Sequence, residues 1–80
     1  MGQLTSEQIR AARALLRWEQ RHLAEASGVS LPSVKRLELQ PGPLAAREQT
    51  VAALKGALEA AGVEFIAENG GGAGVRLRRE

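Results

Sequence analysis

The sequence predicts a mainly α-helical fold, four helices followed by a short C-terminal β-hairpin, and three observations carry that expectation. From Ser6 to Ala61 apolar residues recur at three- and four-residue spacing among good helix formers. Thr, Ser, Pro and Gly punctuate this region where helices start and stop. After Gly62 the period falls to two, in "VEFI" and "VRLR".

The first helix is expected from about Ser6 to Arg17. Thr5 and Gln8 stand at capping-box spacing, and Ile9, Ala12, Leu15 and Leu16 form one face. The second begins near Gln20 and ends about Ala26, where "ASG" places Gly28 as a stop able to take positive φ. Ser30 caps the third helix, with Pro32 in its first turn, where a missing N–H does no harm. "QPGP" ends that helix in a loop. The fourth, from about Arg47 to Ala61, carries Val51, Leu54, Leu58 and Ala61 on one stripe and stops at Gly62. "VEFI" and "VRLR", joined by "AENGGGAG", form the hairpin. Residues 1–62 are thus the helical part, with a helix-turn-helix at 20–39, and residues 63–80 the hairpin.

Eighty residues without a repeat fit one small domain, since such a chain buries only about 60% of its unfolded surface. With no cysteine there are no disulfides, thiolate metal sites or cysteine nucleophiles, and a reducing cytoplasm is the expected compartment. Charged or polar residues interrupt every apolar window, which excludes a run of roughly 20 apolar residues. Net charge is +2, but nine of eleven cations are Arg, clustered from Arg10 to Arg21 and from Arg76 to Arg79. Guanidinium matches phosphate through a bidentate fork, which points toward nucleic acid; a GC-rich coding sequence is the competing explanation. The glycine loop lacks the Lys-Ser/Thr of a P-loop and leads into a strand, so it is not read as a nucleotide site. With no Asp, no Cys and one His, the usual triads, metal clusters and phosphoryl-transfer sets cannot be assembled, so no enzyme, metal or cofactor is expected.

The window "QRHLAEASGVSLPSVKRLE" explains why a chain of helix formers breaks and restarts so quickly. Two helices crossing closely need a small residue on the inner face, supplied by Ala24, and a positive-φ residue in the turn, supplied by Gly28. Leu23, Val29, Val34 and Leu37 close a small core between them. The break sets an angle and projects the third helix outward, a shape suited to a DNA major groove.

This segment resembles the helix-turn-helix of the lambda-repressor and Cro type, the xenobiotic-response-element-like regulators. Gln20, Ala24, Gly28, Val34, Leu37 and Glu38 stand where that pattern expects such residues. The likeness extends from about Ser6 to Ala61, and the ending looks like that of a compact bacterial subgroup finishing in a hairpin. Two positions depart: Glu19 stands where Ser or Thr usually caps the second helix, and Leu31 where polar readers are common. The resemblance implies that Gln20 contacts a backbone phosphate. It also implies that Arg13 on the first helix pairs with Glu38 near the end of the third.

Among the outward residues of the third helix, Arg36 suits guanine O6 and N7, a contact worth roughly 1–3 kcal/mol of discrimination. Lys35 suits a base or a phosphate. Leu31 and Pro32 have no donors and can read only by apolar contact with a thymine methyl or by shape, Pro32 being chiefly a helix-start residue. Ser30, Ser33, Arg17, Arg21 and Arg47 complete the phosphate set. Trp18 is expected in the core or its rim, and His22 on a solvated helix face. A two-stranded hairpin alone is marginal in water, so Val63, Phe65, Val75 and Leu77 are expected to pair with a second copy of the chain. The expected function is a sequence-specific, double-stranded-DNA-binding transcriptional regulator, foremost a repressor, acting as a homodimer on a palindromic operator. The alternative is an antitoxin that binds both DNA and a protein toxin.

Overall fold

The computed structural model describes residues 3–68 and 70–78; Arg79, which closes the second Arg cluster, lies outside them. The order of elements is α1 (Ser6–Leu16), α2 (Gln20–Ser27), α3 (Leu31–Leu39), α4 (Glu48–Ala60), β1 (Val63–Ile66) and β2 (Gly74–Leu77). The fold is therefore mainly helical with a C-terminal antiparallel hairpin. Among the described residues no helix is long and apolar enough to cross a membrane.

Local chemistry places each boundary. The Thr5 hydroxyl accepts the Gln8 backbone N–H, while Gln8 Oε1 accepts the Thr5 N–H at 3.0 Å, a complete capping box. Helix α1 ends at Arg17, whose φ of 58° is left-handed. Gly28 ends α2 at φ 78°, conformation that a side chain would strain, and its N–H bonds the Ala24 carbonyl. Ser30 caps α3 by accepting the Ser33 N–H. Gly62, at φ 110°, turns the chain from α4 into β1.

The core draws on every element except β2: Ile9 and Ala12 from α1, Leu23 from α2, Val34 and Leu37 from α3, Leu54 and Leu58 from α4, and Val63 from β1. Each fully buried Val, Leu or Ile side chain contributes about 1.5–3 kcal/mol relative to exposure. Trp18, Ala24 and Val29 pack against this core from its rim. Leu15, expected on the inner face of α1, instead lies 40% exposed, because the buried stripe follows Ile9 and Ala12 and leaves Leu15 on the outer flank.

The hairpin pairs Val63 with Leu77, Glu64 with Arg76, Phe65 with Val75 and Ile66 with Gly74. Its second strand begins one residue earlier than the "VRLR" run suggests, because Gly74 is drawn into register. Gln8 Nε2 donates to the Gly74 carbonyl at 3.0 Å and to that of Ile66 at 3.4 Å, so the residue capping α1 also holds the hairpin. On the outer face Arg76 and Glu64 form a two-point pair, with Nε to Oε1 at 2.9 Å. The Arg76 hydrogen bond holds the Glu64 carboxyl below the usual carboxylate range and raises the Arg76 guanidinium in turn.

The apolar side of the hairpin faces this chain's own core. Val63 is 1% exposed, and Phe65 and Val75 pack against the core cluster. Val63 is thus taken up by this chain's own core, while Phe65 and Val75 are partly covered by it. Leu77 is half exposed, and among the described residues neither strand has a second strand partner.

The loop after α3 folds back on the start of α1. Leu44 N–H donates to the Leu4 carbonyl, Ser6 N–H to the Gly42 carbonyl, and Gly42 N–H to the Glu7 carboxylate at 3.1 and 3.3 Å. The backbone N–H groups of Glu7 itself and of Gly42 hold the Glu7 carboxyl below its ordinary range. This tether fixes where α4 begins, and with it Arg47.

Candidate nucleic-acid interface

Helix α3 buries Val34, Leu37 and Glu38. At about 100° per residue, Pro32, Arg36 and Leu39 then centre the outward face and Lys35 borders it. All four are exposed, while Leu31 and Ser33 are half buried at the flanks. Leu39 is 80% exposed and was not among the residues expected at the surface site; its place one turn after Lys35 and Arg36 was the available signal.

Two open clefts flank this face. One, of about 650 Å³, lies between α3 and the start of α4 and is lined by Val29, Ser33, Arg36, Ala45, Ala46, Arg47 and Thr50. The other, of about 440 Å³, lies between α3 and the α1–α2 side and is lined by Arg10, Arg13, Gln20, Lys35, Glu38 and Leu39. Each holds cations and at least one uncharged hydrogen-bonding side chain. Arg47 is the N-cap of α4 and makes no side-chain cap bond, so the first N–H groups of that helix have no cap from Arg47. Arg10 shares the second cleft through its three-residue spacing from Arg13, a signal that the Arg cluster contained.

Beneath the second cleft, Arg13 and Glu38 form a bidentate pair, Nε to Oε2 at 2.7 Å and Nη2 to Oε1 at 2.6 Å. The Arg13 side chain is 18% exposed and that of Glu38 4%. Arg13 Nη1 also donates to the Trp18 carbonyl at 3.0 Å, tying α3 to α1 and to the α1–α2 turn. Gln20 donates through Nε2 to Glu38 Oε1 at 3.0 Å, a link that a spacing of eighteen residues does not advertise.

The serines differ in what they leave free. The Ser30 hydroxyl accepts the Ser33 N–H at 3.3 Å and donates to Ser33 Oγ at 2.9 Å, so its proton is engaged within the cap. Ser33 keeps its hydroxyl proton for an outside acceptor. Arg21 binds Glu19 at 2.8 Å, but both side chains are about two-thirds exposed, so the pair is weak and screened. Arg17 is exposed at the end of α1.

His22 departs from a merely solvated residue. Its Nδ1 accepts the Glu19 N–H at 2.9 Å, and its ring lies tilted to Trp18 with centroids 6.4 Å apart. It thereby does for α2 what the Gln8 side chain does for α1; the three-residue spacing from the N-cap was the readable signal. Among the described residues no three His, Asp or Glu side chains gather as a metal site would require.

The arrangement can place an apolar and cationic helix face against an edge-bearing surface, with hydrogen-bond donors on either side of it. No protein-family model matches the chain, and no curated protein sequence matches it.

Proposed function

We propose that the chain is a sequence-specific, double-stranded-DNA-binding transcriptional regulator of repressor type, working in the cytoplasm as a homodimer with α3 in the major groove. The resemblance of residues 20–39 to the lambda-repressor and Cro helix-turn-helix supports this reading. The single observation that carries it is the pair of donor-bearing clefts on either side of the exposed face of α3. A helix about 10–12 Å across fills a major groove about 12 Å wide, so phosphates of the two strands lie on opposite sides of it. Arg47 with Ser33 serves one strand, and Arg10 with Gln20 the other. Base reading falls to Arg36 and Lys35, with apolar contact from Leu31 and Pro32.

A second copy meets this one through the outer strand edges and Leu77, since Val63, Phe65 and Val75 serve the monomer's core. Two recognition helices then lie about 34 Å apart on a palindromic site.

Fluorescence anisotropy with labelled duplexes tests the proposal. Binding is expected to weaken linearly on a log–log plot against salt, by a slope near −0.9 for each phosphate neutralised. Equal affinity for every duplex at every salt concentration, or no binding at low salt, overturns it.

A further inference from the structure

We infer that Glu38 is a positioning residue for DNA, holding the Gln20 carboxamide so that its second N–H is presented to a phosphate. This rests on the proposed DNA binding and goes beyond the structural pairing of Glu38 with Arg13.

A Gln side chain ends in two groups of similar size and opposite hydrogen-bonding sense. Its NH2 has two donors and its oxygen only accepts. Left free at a helix start, the amide presents oxygen or nitrogen by a simple flip, and oxygen repels a phosphate. Glu38 removes the choice. An ionised carboxylate only accepts, so the nitrogen of Gln20 must face it, as the 3.0 Å contact of Nε2 with Oε1 records. One N–H is then engaged. The other lies about 120° away in the amide plane and remains for a ligand in the cleft that Gln20 shares with Lys35 and Arg10.

The support is rigid. Both Glu38 oxygens are held by Arg13, at 2.6 and 2.7 Å, and Arg13 is anchored in turn on the Trp18 carbonyl. With its side chain 4% exposed, the carboxylate has little room to turn. Arg13 also balances its charge, so the negative group below the cleft does not drive a phosphate away. Ordering the amide before binding removes a rotamer cost that would otherwise weaken the complex.

A double-mutant cycle on the full chain separates this role from a merely structural one. Gln20→Ala is expected to weaken duplex binding about tenfold, the low end for a hydrogen bond to a charged group. Glu38→Gln, whose own NH2 competes with the donors around it, is expected to weaken binding several-fold in the wild-type background and by less than about twofold beside Gln20→Ala. The same loss in both backgrounds overturns the inference and leaves Glu38 acting through the placement of α3 alone. Thermal melts establish that each variant is folded. Should Glu38→Gln fail to fold, 15N-edited spectra of the wild-type protein decide. Before DNA is added one Gln20 amide proton is expected to lie downfield of the range of solvent-exposed Gln side chains, and the other to shift on titration with a duplex. A Gln20 amide unchanged at saturation contradicts the inference, whereas absence of duplex binding by the wild-type chain defeats the DNA proposal itself.

Discussion

Replacing Arg13 with Ala leaves the Glu38 carboxylate, 4% exposed, with the Gln20 amide as its one partner among the described residues. Two short hydrogen bonds to Glu38 and one to the Trp18 carbonyl vanish together. Breaking one side of a buried pair costs about 3–5 kcal/mol, against below about 1 for an exposed one. A domain of 80 residues has roughly 4–12 kcal/mol in total, so the variant retains a small margin or none. The reverse change, Glu38→Ala, is milder, at about 1–3 kcal/mol, because the Arg13 guanidinium is 18% exposed and can turn toward water. The double replacement Arg13→Met with Glu38→Leu removes both charges and fills the space, and is expected within about 1 kcal/mol of wild type or above it. Urea unfolding followed by helical circular dichroism measures all three. An Arg13→Ala penalty below about 1 kcal/mol, or a double variant less stable than either single one, refutes the reasoning.

Further outcomes follow from other parts of the molecule. Arg36→Ala should relax sequence preference, while Arg47→Ala should weaken all duplexes alike and lower the salt slope by about 1, both read by anisotropy against specific and scrambled sites. A Cβ at Gly28 meets nothing within 4 Å, so Gly28→Ala should cost only the left-handed backbone penalty, roughly 1–2 kcal/mol; a much larger loss in urea unfolding would mean that steric contact had been underestimated. The carboxyls of Glu7 and Glu64 lie below their ordinary values, so they add stability at neutral pH that disappears as pH falls through their folded-state pKa values. Melting temperature should therefore drop below the usual carboxylate range and Glu7→Gln should flatten that drop; a wild-type melting curve independent of acid contradicts the assignment. Cutting the chain after Gly62 removes Val63, 1% exposed, and should unfold or loosen the remainder, where a stable, fully helical fragment would show the hairpin dispensable.

The helices were legible because their ends are written in local chemistry. Thr5 with Gln8, Ser30 with Pro32, and Gly28 each act on their immediate neighbours, and the structure places them at the caps those roles require. The alternation of the hairpin was equally readable. Which side of that hairpin meets the core was not. A period of two distinguishes faces without saying what covers them, so Val63, Phe65 and Val75 read as a face for a second copy, and the part that this chain's own core takes in covering them was hidden. Contacts between distant residues were hidden for a related reason. Gln8 reaches Gly74 and Gln20 reaches Glu38 only once the helices have packed, and neither link leaves a local trace. The outward face of α3 was legible in Lys35 and Arg36, but the clefts beside it are tertiary features, one formed against the start of α4 and the other against α1 and α2.

The central claim, that α3 reads base edges in duplex DNA, is tested most directly by selecting bound sequences from a random duplex pool with the full-length protein. The expected result is an enriched half-site containing guanine, lost from the selected pool with Arg36→Ala, and present twice about one helical turn apart when the chain binds as a dimer. A pool that remains random after repeated selection, or an enriched site indifferent to every residue on the exposed face of α3, contradicts it.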